Sequence, residues 1–153
     1  MNVPATTQDL FTEIKELVLN ARQHVATQVN TELLATYWQI GRMIVEHEQN
    51  HQERADYGKQ VLKQLSKALS QEFGRGFSRS NLYNMRLFYL DYPNFQTLSG
   101  NLSWSHYCEL LSITDENKRS FYEKESVNSG WSVRELKRQI DSSLYERLLL
   151  SSE

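Results

Sequence analysis

Apolar residues recur at three- and four-residue spacing along most of the chain, the period of amphipathic helices and not the alternation of strands. Leu10, Ile14, Leu17, Ala21 and Val25 form a first stripe, which resumes at Leu33, Leu34, Tyr37, Ile40, Met43 and Ile44. Thr6-Thr7-Gln8-Asp9 ahead of it has the capping-box pattern of a helix start. Asn30-Thr31 is either a break or the middle of one long helix, and spacing leaves both open. Gly41 sits inside the second stripe. Glycine in a helix interior costs about 0.5–1 kcal/mol relative to alanine, so close approach of another helix is expected there.

A further helix is predicted from about residue 55 to 73, with Val61, Leu62, Leu65, Ala68, Leu69 and Phe73 on its buried face. Gly74-Arg75-Gly76-Phe77 reads as a turn, and Ser78 caps the next helix, about 79 to 91, which ends ahead of Pro93. Residues 94 to 101 read as a loop. Ser103 and Thr114 are caps for two more helices, and Ser132-Val133-Arg134-Glu135 is a second capping box. It opens a last helix with Val133, Leu136, Ile140, Leu144 and Leu148 on one face. The expected fold is all-α, a multi-helix bundle containing a helix-turn-helix-like unit. The whole of 1–153 is expected to be one helical domain: long helices over about 8–50, the helix-turn-helix-like unit over about 55–92, and C-terminal helices over about 103–149.

Composition agrees. Only 6 Gly and 2 Pro occur in 153 residues, few for a chain built of turns and short strands. No apolar run approaches the roughly 20 residues of a membrane span, and no secretory signal opens the chain, so no membrane association and a cytoplasmic location are expected. The one cysteine, Cys108, lies in an apolar helical pattern and reads as a small buried hydrophobe.

Charge is unevenly placed. Between residues 57 and 90 stand Lys59, Lys63, Lys67, Arg75, Arg79 and Arg86 against the single acid Glu72, a local net of +5. The chain totals −2, so the remainder carries −7. Lys59, Lys63 and Lys67 rise along one face at four-residue spacing, opposite the apolar stripe. Helix, glycine turn and second helix are the order of a helix-turn-helix unit, whose second helix enters the major groove. In that second helix Leu82, Met85, Phe88 and Tyr89 are predicted to pack inward. Arg79, Ser80, Tyr83 and Leu87 point outward, with Asn84 and Arg86 on the borders. Arginine can pair with guanine or phosphate, and Ser, Asn and Tyr supply further hydrogen bonds. The candidate DNA-binding residues are therefore Lys59, Lys63, Lys67, Arg75, Arg79, Ser80, Tyr83, Asn84 and Arg86. Plain packing of one helix pair in a bundle explains the same pattern, and Tyr83 and Leu87 would also suit burial against another subunit.

Catalytic signals are weak. Glu13-Ile14-Lys15 and Glu135-Leu136-Lys137 spell the acid-x-lysine half of a metal-dependent nuclease signature, but both fall on amphipathic helices without a preceding strand. His47 and His51 are an i,i+4 pair with no third ligand nearby. His106 and Cys108 are two apart on a helix and do not face each other. No catalytic residue, no metal site and no cofactor is expected.

The blocks Trp38-Gln39-Ile40-Gly41, Tyr57-Gly58-Lys59, Leu65-Ser66, Phe73-Gly74-Arg75-Gly76-Phe77, Asn81-Leu82-Tyr83-Asn84-Met85-Arg86 and Phe88-Tyr89 follow in order. Leu102-Ser103-Trp104-Ser105-His106-Tyr107, Arg119-Ser120-Phe121-Tyr122 and Trp131-Ser132-Val133-Arg134-Glu135-Leu136 come after them. The series resembles the N-terminal domain of YhcG-type bacterial proteins, a family assigned to the PD-(D/E)xK nuclease superfamily. The resemblance runs from about Leu10 to Arg147. It implies a helical targeting or assembly domain preceding a C-terminal nuclease domain that would carry the catalytic residues. The partners it implies are DNA and that nuclease domain. A second copy of the chain, making a homo-oligomer, is the alternative role for an assembly domain. Trp38, Trp104, Trp131, Tyr107 and Tyr122 are expected in the core, and His106 as a hydrogen-bonded structural histidine. Arg119 and Arg134 are candidates for ion pairs inside the domain.

Overall fold

The computed structural model describes residues 5–50, 55–98 and 100–151. Among them stand seven α-helices, a short 3-10 turn at Phe95–Thr97, and no strand. The helices are α1 (Thr7–Gln49), α2 (Ala55–Phe73), α3 (Arg79–Asp91), α4 (Trp104–Leu111), α5 (Glu116–Asn128), α6 (Val133–Asp141) and α7 (Leu144–Ser151). The fold is an all-α bundle.

α1 is one helix of 43 residues and runs through Asn30-Thr31 without a break. Thr6 caps it, its hydroxyl accepting the Asp9 N–H at 3.0 Å. Only the C-terminal part is in the body: Leu34, Gly41, Ile44 and Val45 are buried, whereas every residue from Ala5 to Val29 is exposed. α1 and α3 form the most extensive helix pair, and Gly41 permits it. A Cβ at Gly41 would sit 2.0 Å from the Met85 carbonyl oxygen. Met43, placed in the stripe by spacing, is 67% exposed because it lies away from this contact.

Two apolar clusters hold the body. Ile44, Leu82 and Met85 join α1 to α3, with Leu62, Leu65 and Leu69 of α2 packed against them. Phe88, Leu102, Tyr107, Leu110, Tyr122 and Leu136 form the larger cluster, with Trp38, Trp104 and Trp131 packed around it. Tryptophan is large and amphipathic, so a ring can bury its body while its N–H takes a partner. Trp38 donates to the Tyr92 carbonyl at 2.8 Å, and Trp104 to the Asn81 side-chain oxygen at 2.8 Å.

Three local expectations are corrected. The cap of α5 is Asp115, not Thr114: its carboxylate accepts the N–H groups of Asn117 and Lys118 and carries the charge that favours a helix N-terminus. The single last helix is two, α6 and α7, split where Ser143 adopts φ +59. Tyr122 explains the split. Its buried hydroxyl donates to the Gln139 carbonyl at 3.3 Å and accepts the Tyr145 N–H at 3.1 Å, satisfying backbone groups that the break frees. Phe73 and Ala68, expected on the buried face of α2, are exposed, Phe73 by 66%. Phe73 lies in the last turn and meets Phe77 across the turn, ring centroids 5.9 Å apart, in place of the core.

Among the described residues no helix is long and apolar enough to cross a membrane.

Candidate nucleic-acid interface

The loop between α2 and α3 is built by glycine and a hydroxyl. Gly74 (φ +81) and Gly76 (φ +109) occupy left-handed backbone that a side chain disfavours. Ser78 then caps α3, accepting the Asn81 N–H at 3.1 Å. Asn81 ties this turn to the body. Its amide nitrogen donates to the Gly76 carbonyl while its oxygen receives Trp104 of α4. Asn81 stood in the quoted sequence blocks, yet periodicity gave no reason to single it out.

Along α2, this turn and the start of α3, five cations face solvent. Lys59, Lys63 and Lys67 lie on the outer side of α2, with Leu62, Leu65 and Leu69 on the inner side. Their eight-residue span covers about 12 Å at 1.5 Å per residue. Arg75 in the turn and Arg79 opening α3 are exposed as well, as are Ser80 and Tyr83, the latter by 47%. None of these five cations forms an ion pair with another described residue.

Two candidates from the sequence are placed differently. Arg86 turns toward α1, where its Nε donates to both carboxylate oxygens of Glu48 at 3.0 and 2.9 Å. The pair is partly buried, and the guanidinium also lies 5.9 Å from the Tyr83 ring centroid. The pair ties α3 to α1 and offsets the Arg86 charge. Asn84 is partly buried and hydrogen-bonds the Cys108 thiol of α4. Burial pushes that thiol up to about 11, and the Asn84 contact opposes the rise without cancelling it. Cys108 is therefore an inert, largely packed thiol. Leu87, expected outward, is partly buried against the larger cluster.

The other chemistry-bearing residues are structural. His106 Nδ1 accepts from the Ser103 N–H at 3.2 Å, closing a capping box, while Nε2 meets the Trp131 carbonyl at 2.8 Å. That pairing requires the proton on Nε2 and links α4 to the segment before α6. Arg119 is buried, donates to the Ile113 carbonyl at 2.9 Å and stands 3.8 Å from Asp91. Near it, burial raises the carboxyls of Asp91 and Glu123 above their ordinary range, with the Arg119 charge pulling both back. Arg134 is exposed. Glu13 and Lys15 lie on the exposed half of α1, and Glu135 is occupied by Arg138 and Gln139, so neither acid-x-lysine segment gathers a second carboxylate. His51 of the histidine pair lies outside the described residues. Among those described, no three His, Cys, Asp or Glu side chains are grouped so as to hold a metal ion.

The fold is an all-α bundle with five exposed cations along the α2–turn–α3 segment. A family model described as the DUF1016 N-terminal domain matches residues 13–147, and the chain belongs to that family. The chain is 42% identical over 178 aligned positions to the Escherichia coli (strain K12) protein named "Putative nuclease YhcG". The alignment covers 95% of this chain and 48% of that protein, so the chain spans about half the length of this relative. No solved structure matches.

Proposed function

We propose that this chain is a DNA-binding, targeting domain of a nuclease-type protein of the cytoplasm, without catalysis of its own. One observation carries the reading: Lys59, Lys63, Lys67, Arg75 and Arg79 are exposed around one helix–turn–helix segment and form no ion pair with another described residue. A run of exposed cations in one segment of an otherwise acidic chain is the electrostatic footprint of a polyanion partner. The similarity to a protein named as a nuclease makes DNA the fitting polyanion. In this reading α2 and α3 act as a helix-turn-helix-like unit. The three lysines and Arg75 neutralise phosphates, and Arg79, Ser80 and Tyr83 at the start of α3 approach base edges or backbone. Asn84 and Arg86 support α3 from behind and do not touch the nucleic acid. Cleavage belongs to the half of the longer relative that this chain does not span.

Fluorescence anisotropy of a labelled duplex tests this. Lys59→Ala/Lys63→Ala/Lys67→Ala should weaken binding roughly tenfold or more at low salt with the fold intact, since each lost phosphate contact forfeits counterion release. Binding by this variant equal to that of the unaltered chain would refute the assignment.

A further inference from the structure

The N-terminal half of α1 has no place in the body. Its first tertiary hydrogen bonds come at Asn30, whose side chain donates to the Gly100 and Leu102 carbonyls. From Thr7 to Val29 the helix projects as a rod of about 35 Å at 1.5 Å per residue. A projecting helix of this length is marginal in water by itself, because most helical stability in proteins comes from packing an apolar face. This rod has such a face. Leu10, Ile14, Leu17, Val18, Val25 and Val29 are between 42% and 70% exposed. At about 100° per residue they share an arc of roughly 120°, nearly opposite the side on which Leu34, Gly41 and Val45 are buried. The molecule's own body therefore stands on the wrong side of α1 to cover them.

We propose that this stripe is the dimer interface of the chain, two copies pairing the projecting halves of α1 antiparallel about a two-fold axis near residues 19 and 20. With Phe11, the stripe leaves on the order of 700 Å² of apolar surface exposed, above the roughly 300–600 Å² of the largest patch on a typical monomer. Two copies would bury about 1,400 Å², inside the roughly 1,200–2,000 Å² of a specific interface. Antiparallel pairing opposes the helix dipoles and leaves the two bodies at opposite ends. The proposal stands apart from the DNA reading, and its test uses no nucleic acid.

The test is the solution mass of the 153-residue chain by light scattering at micromolar concentrations, with Leu17→Glu/Val25→Glu and Gln23→Glu as variants. The unaltered chain and Gln23→Glu, on the far side of the helix, should have twice the chain mass, and the double variant the mass of one chain. Trp38, Trp104 and Trp131 all lie in the body, so unchanged tryptophan fluorescence in the double variant shows that the body remains folded. In a Cys108→Ser background a short bis-maleimide should link Ala21→Cys to itself and leave Ile14→Cys unlinked. Antiparallel pairing about that axis separates the two positions 14 by about 16 Å along it. A monomeric chain at 100 µM, or a dimer untouched by Leu17→Glu/Val25→Glu, would overturn the proposal. Linking of Ile14→Cys would overturn the antiparallel arrangement.

Discussion

Two helix glycines should respond to the same substitution with opposite signs. In Gly41→Ala the new methyl lands 2.0 Å from the Met85 carbonyl oxygen, 2.7 Å from its carbon and 3.1 Å from Tyr89 Cβ. The nearest atoms are helix backbone and cannot turn aside, so α1 and α3 must part by about 1 Å or more along their main contact. Overpacking of this kind typically costs 1–3 kcal/mol or more. Alanine returns up to about 1 kcal/mol of helix propensity. The net expectation is a loss of about 2 kcal/mol, or roughly 4–8 °C in Tm for a chain of this size. Gly58 in α2 is the control. The nearest atom to its Cβ is Glu48 Oε1 at 3.7 Å, an ordinary contact with the end of a flexible side chain. Gly58→Ala should therefore stabilise by several tenths of a kcal/mol. Urea unfolding followed by circular dichroism, with the slope m compared across all three proteins, measures both. Equal midpoints for the two variants, or a stabilised Gly41→Ala, would refute the close-approach argument.

Asn81→Leu should cost about 1–3 kcal/mol by leaving the Trp104 N–H and the Gly76 carbonyl without partners. The fluorescence of Trp104 should change in the native state, and an unfolding midpoint equal to that of the unaltered chain would refute the keystone role. The raised carboxyls of Asp91 and Glu123 bind protons more tightly folded than unfolded, so their contribution is most favourable in acid and is lost as pH rises through their folded values, above about pH 4. Glu123→Gln should flatten the fall in stability toward neutral pH. A steeper fall in the variant would show that the Arg119 charge, and not burial, governs this carboxyl.

Much of the helical plan was legible because it is local. Thr6, Ser78, Ser103 and Ser132 precede apolar runs, and each caps the helix that its position announced. Gly41 announced the contact that it makes. What escaped was long-range. The apolar period runs on through Ile140, Leu144 and Leu148, and the break between them is held by Tyr122, some twenty residues earlier. Arg86 reads as a border cation of α3 until Glu48, 38 positions away, is seen to hold it. The stripes of α1 and α2 show that a face is apolar, not how far a partner extends along it. For that reason Phe73 and the residues from Leu10 to Val29 lie open. The five exposed cations could be read from charge spacing alone, because solvated residues need no distant partner to place them.

The most direct test of the DNA reading is the salt dependence of duplex binding, measured as the slope of log K against log salt concentration. Phosphate contacts by the three lysines and Arg75 predict a slope near −3.6, about a 150-fold loss of affinity between 50 and 200 mM salt, and the triple lysine variant should fall to a slope near −1. A slope shallower than about −1 for the unaltered chain, or the same slope in both proteins, would contradict the account.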